Sequence, residues 1–69
     1  MKTMDHEEVI RDFSGKPLAF LYTKSNGDQY ITNPSLQILG FYYKDRNATT
    51  DFYGRPVGTG NLLTTLIGR

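Results

Sequence analysis

Cysteine is absent from this 69-residue chain, and histidine occurs once, as His6. The first absence excludes a disulfide and any thiolate-held metal. The second leaves a zinc set without its usual ligands unless carboxylates or another chain supply them. Nucleophilic catalysis meets the same obstacle. The single imidazole lies in the charged segment Asp5-His6-Glu7-Glu8, which has neither the spacing of a metal-binding helix nor apolar neighbours to position a base. No metal site, no cofactor and no enzymatic activity are therefore expected. Long apolar runs are missing too, and the N-terminal residues lack the apolar stretch of a secretory signal, so the expectation is a cytoplasmic protein without a membrane partner. Charge of one sign is also scarce. Eight basic residues stand against seven acidic ones, a net charge of +1, far below the footprint of a dedicated nucleic-acid binder.

What remains is a chain long enough for one core. A domain of this size buries only about 60% of the surface its unfolded chain exposes, and commonly leans on a disulfide, a metal or a second subunit. With the first two removed, a homo-oligomer is the expected source of further burial. Residues 1–8 read as a polar leader and 9–69 as a single small domain.

The chain repeats itself. Val9 to Tyr22 lies over Tyr30 to Tyr43 without a gap, a shift of 21 positions that matches Ile10 with Ile31 and Phe20 with Phe41. A third copy follows, in which Asp51-Phe52-Tyr53-Gly54-Arg55-Pro56-Val57-Gly58 echoes Asp12-Phe13-Ser14-Gly15-Lys16-Pro17-Leu18-Ala19. Each copy reads as strand, tight turn, strand. The turn glycine accepts the positive φ that hairpins demand, and the following proline suits only a strand start or an edge. Beyond the turn, alternation predicts Leu18, Phe20 and Tyr22 on one face, and likewise Leu39, Phe41 and Tyr43, with Ala19 and Gly40 on the other. Ala19, Gly40 and Gly58 are equivalent, so successive hairpin backbones are expected to approach closely there. Between copies, Asn26-Gly27 signals a two-residue hairpin, and Asp45-Arg46-Asn47 a comparable polar loop.

The chain ends admit two readings each. Asp5 to Glu8 offers a capping-box-like helix start, but the match of Ile10 to Ile31 favours a strand. Leu62 to Ile67, framed by Asn61 and Gly68, fits a short terminal helix as well as a strand. The fold class that follows is all-β, with about three repeated antiparallel hairpins. Over residues 9–60, the hairpins with their Phe-x-Gly-Lys/Arg-Pro turn resemble the small bacterial four-fold β-flower domains, in which hairpin petals surround a common axis. Leu36 replaces the turn glycine in the second copy, and Thr59 interrupts the aromatic stripe in the third. The resemblance implies an all-β fold and brings no catalytic motif.

Function is then read by elimination. Asp12 and Asp51 precede the Phe-x-Gly turns, where aspartate commonly hydrogen-bonds its own backbone, so they read as turn residues rather than a catalytic pair. Gly58-Thr59-Gly60 lacks the Lys-Ser/Thr of a phosphate loop, and Asn47-Ala48-Thr49 reads as a loop rather than a glycosylation acceptor. A non-enzymatic binding or assembly module is expected, self-associating through the Phe41-Tyr42-Tyr43 strand or through the apolar end represented by Leu62 and Leu66. Three consecutive aromatics must divide between two faces, so at least one ring opposes the main core. The alternative is a phosphate-bearing ligand, nucleotide or single-stranded nucleic acid held by Lys16, Arg46 and Arg55 with tyrosines stacking nearby; beyond residue 8, seven basic residues outnumber four acidic ones.

Overall fold

The computed structural model describes residues 6–67, which form six strands and one 3-10 turn. The strands are β1 (His6–Arg11), β2 (Pro17–Thr23), β3 (Gln29–Thr32), β4 (Ile38–Tyr43), β5 (Ala48–Asp51) and β6 (Pro56–Thr59). They lie side by side in chain order as one open antiparallel sheet, a plate of 34 × 34 × 18 Å. The first repeat is thus a strand, and it begins at His6, inside the segment read as a leader; Met1 to Asp5 lie outside the described residues. The chain end is neither strand nor two-turn helix. Leu63–Leu66 is a single 3-10 turn packed on β3 and β4.

Chain-order pairing puts the turns after β1, β3 and β5 on one edge of the sheet, and those after β2 and β4 on the other. The three turns of the first edge are copies of one another. In each, an Asx side chain opens the turn: Oδ1 of Asp12, Asn33 and Asp51 accepts from the backbone N–H two and four residues on, all at 2.9–3.0 Å. The backbone closes on itself the same way each time, with Gly15, Leu36 and Gly54 at positive φ and donating to the carbonyl of the opening residue. Leu36 holds this conformation at φ 69°, where a side chain is strained and glycine is not.

Beyond each of these turns the register shifts, leaving Leu18, Leu39 and Val57 unpaired as β-bulges at repeat-equivalent positions. A bulge breaks strict alternation. Leu39 therefore packs with the buried cluster and does not join Phe41 and Tyr43 on their face, correcting the expected stripe. On the other edge, Asn26-Gly27 does not form a two-residue hairpin. Ser25, Asn26 and Gly27 make a three-residue loop, with Lys24 donating to Asp28 at 2.8 Å and only Gly27 at positive φ. Register explains the difference: a loop of two residues would set Tyr22 opposite Ile31 and turn that buried isoleucine to the wrong face, whereas the observed loop pairs Tyr22 with Tyr30 and Leu21 with Ile31.

The core lies on one face only. Ala19, Ile31, Leu63 and Leu66 are its buried members, with Ile10, Leu21, Leu39, Tyr42, Val57 and Ile67 packed around them. Gly40 and Gly58 do mark close approaches, but largely to the C-terminal segment: Leu66 sits on Gly40 and Leu62 on Gly58, with the Thr50 carbonyl the neighbouring backbone at Gly40. Thr49 anchors that segment. Its buried hydroxyl donates to the Gly60 carbonyl at 2.6 Å and accepts from the Leu62 N–H at 2.9 Å.

Candidate functional site: an uncovered aromatic sheet face

Cross-strand partners share a face, so the pairs Glu7–Tyr22, Tyr22–Tyr30, Tyr30–Phe41 and Phe41–Thr50 run as one row across β1 to β5. This row lies on the face opposite the core. Its rings form a continuous ladder. Tyr22 and Tyr30 stack at 4.8 Å with planes 16° apart, Tyr30 and Phe41 meet at 6.5 Å, and Phe41 and Tyr43 lie at 6.2 Å. Stacked aromatic pairs contribute about 0.5–1.5 kcal/mol beyond their buried area. The rings are only half-buried, because the 3-10 turn, the single non-strand element among the described residues, covers the other face.

Charge is arranged around the ladder. Arg46 places its guanidinium 4.4 Å from the Tyr43 ring centre, and the Lys24 ammonium lies 5.8 Å from that of Tyr30. Glu7 flanks Tyr22 at the β1 side. Loss of water around the Tyr22 hydroxyl, reinforced by the negative charge of Glu7, raises the phenol above its ordinary 10.0. The opposite shift marks the turns: hydrogen bonds from Ser14 and the Lys16 N–H hold Asp12 below 3.8, and the Arg55 N–H does the same for Asp51.

Comparison with protein families, curated proteins and solved structures gives no match. The site therefore stands on its own geometry. Of the aromatic residues singled out from sequence, Phe41 and Tyr43 lie on the ladder face. Tyr42 turns to the core face, where its hydroxyl donates to Asn47 at 2.9 Å. Leu66 is 3% exposed and is used up within the protomer, leaving it no surface for an interface, and Leu62 packs on Gly58. The cations Lys16, Arg46 and Arg55 do not converge. Lys16 and Arg55 sit at the first and third repeated turns, and Arg46 belongs to the opposite edge. Arg55 is moreover engaged, with Nε 3.1 Å from Asp51 and its guanidinium 5.3 Å from the Tyr53 ring.

Sequence reasoning passed over Tyr30 and Lys24 as parts of one surface. Their proximity depends on the three-residue loop, which pattern alone reads as two. A concavity of about 750 Å³ lies beside the second and third repeated turns, lined by Ile38, Leu39, Phe52, Tyr53 and Leu66 with Gln37 and Asp51 at its polar side. Its Asp51 carboxylate accepts from the Tyr53 and Arg55 N–H groups through Oδ1 and from Arg55 Nε through Oδ2. Among the described residues no cluster of three or more metal-ligating side chains occurs.

Proposed function

We propose that this chain is a small, non-enzymatic assembly module whose aromatic face closes on that of a second copy. The observation that carries this reading is the Tyr22–Tyr30–Phe41–Tyr43 ladder on a sheet face that no second layer of the described residues covers, only the Lys24 and Arg46 side chains lying over its rings. Stable domains bury a sheet's apolar face against another layer, and this sheet has such a layer on one side only. The size is adequate. Six strands ~4.8 Å apart and about five residues long give a face on the order of 500 Å², so two faces reach the roughly 1,000 Å² of a specific interface.

The sheet edges favour the face as the contact. β1 carries Glu7, Glu8 and Arg11, while β6 is four residues long and starts with Pro56; both devices discourage edge-to-edge pairing. Charge complements itself as well, with Glu7 at the β1 side and Arg46 at the β4–β5 turn, so a two-fold axis along the strands brings the acidic corner of one copy toward the basic corner of the other. Native mass spectrometry and sedimentation equilibrium test this. Wild type should show a dimer, Phe41→Lys a monomer with an unchanged far-ultraviolet spectrum, and Tyr42→Ala a dimer. A monomeric wild type, or a Phe41→Lys dimer, would sink the reading.

A second reading is favoured by the cations over Tyr30 and Tyr43: aromatic platforms flanked by cations are what single-strand nucleic-acid binders present to bases. It predicts that a fluorescent oligothymidylate binds, that Tyr30→Ala weakens binding, and that affinity falls steeply with salt. Affinity indifferent to salt would rule it out.

A further inference from the structure

Every large apolar side chain that stands exposed among the described residues belongs to one edge of the sheet. Phe13 at 106%, Leu36 at 62%, Phe52 at 52% and Tyr53 at 77% crown the three repeated turns, and Leu18 at 37% lies beside the first. The opposite edge is built from Lys24-Ser25-Asn26-Gly27-Asp28 and Lys44-Asp45-Arg46-Asn47 and presents no such group. Two edges of one meander thus differ in character while sharing a backbone plan. Phe13 and Phe52 take no part in holding their turns, since the Asx oxygens and the backbone do that.

Cations accompany the apolar tips. Arg11, Lys16 and Arg55 are exposed at the first and third turns. The nearby Asp12 and Asp51 direct Oδ1 into their own turns, and Asp51 Oδ2 also accepts from Arg55 Nε at 3.1 Å, so Lys16 is the turn cation left without a carboxylate partner among the described residues. Neighbouring tips are two strands, about 10 Å, apart. Phe13 and Leu36 stand as separate convex tips at that spacing, without the well-packed centre in which a protein anchor's binding energy gathers, and only Phe52 and Tyr53 touch, at 5.3 Å. They do suit a soft, continuous apolar medium with an anionic surface. Aromatic side chains settle at the headgroup level, and lysine and arginine add attraction to anionic lipid. The apolar concavity lined by Phe52 and Tyr53 extends this surface inward from the tips.

We infer that the edge formed by the three repeated turns docks on an anionic lipid bilayer surface, with Phe13, Leu36, Phe52 and Tyr53 entering the interface and Lys16 facing the headgroups. No helix of the described residues is long and apolar enough to cross a membrane, and this peripheral contact requires none. The contact is independent of the aromatic sheet face.

The test is flotation of the full chain with phosphatidylcholine vesicles, with and without phosphatidylserine. Wild type should float with phosphatidylserine vesicles, the double variant Phe13→Ser/Phe52→Ser should lose about tenfold in partition, and Lys16→Gln should lose several-fold, the last effect vanishing at high salt. Both variants sit at exposed turn positions, and circular dichroism verifies their fold. Phe41→Lys should float like wild type, separating failure here from failure of the self-association reading. Absence of flotation, or a double variant that floats like wild type, overturns the proposal. So does a double variant whose only change is a lower oligomer mass, which would make the tips a contact between copies.

Discussion

Leu36 does with a side chain what Gly15 and Gly54 do without one. At φ 69° it occupies the turn position where its two equivalents are glycine, so Leu36→Gly should stabilise the fold by about 1 kcal/mol, read as a higher urea midpoint at unchanged slope. Two buried threonines predict opposite outcomes for one substitution. The Thr32 hydroxyl is buried without a hydrogen-bond partner, so Thr32→Val should be neutral or stabilising by about 1 kcal/mol. Thr49→Val removes the link to Gly60 and Leu62, leaves both backbone groups unpaired and should cost about 2–3 kcal/mol. Titration follows the same local logic. Asp12 and Asp51 have folded pKa values below their unfolded ones, so their stabilisation is present above about pH 4 and fades as pH falls through the lowered values. Because Asn33 already fills the same role, Asp12→Asn/Asp51→Asn should fold at neutral pH and show a flatter acid limb. Tyr22 works in the other direction: its raised value favours the folded state below about pH 10, and that contribution is lost as pH climbs through the folded value.

At the level of elements, the 3-10 turn is the only lid on the core among the described residues, and it is held by the two small positions of β4 and β6. A methyl group on Gly40 would meet both the Leu66 side chain and the Thr50 carbonyl, and the carbonyl cannot yield without disturbing the β4–β5 ladder. Gly40→Ala should therefore cost about 1–3 kcal/mol and raise amide exchange from Leu62 to Ile67 before the rest of the sheet. Gly58→Ala meets only the flexible end of Leu62 and should cost less. The repeat was legible here because its turn chemistry recurs in the first and third copies, Asp, then glycine, then a cation, while the second keeps only the Asx, as Asn33 before Leu36 and Gln37. The bulges were not. Nothing in Leu18, Leu39 or Val57 as residue types announces an unpaired position; each lies just beyond one of the three Asx turns, where the register shifts by one.

As a whole molecule, the plate has four surfaces of different character: a covered core face, an uncovered aromatic face, a polar edge and an apolar-tipped edge. The proposed closure of the aromatic face on a second copy would make stability depend on concentration, so the melting temperature of wild type should rise with protein concentration while that of Phe41→Lys stays constant. The cations Lys16 and Arg55 share an edge in the structure, as repeat equivalence implied, whereas Arg46 is carried to the far edge by the meander.

The sequence by itself determined the all-β class, the repeated hairpins and the Asp-and-glycine turns of the first and third copies, since each depends on local identity and spacing. Tertiary structure decided which face each aromatic takes, because face depends on register, and register is set jointly by loop length and by burial of Ile31 against Leu21. It also decided that Leu63–Leu66 caps the core as a 3-10 turn and that Leu66 serves the interior. An apolar segment four residues beyond the last strand has no shape of its own; it takes the one offered by the space above Gly40 and Gly58.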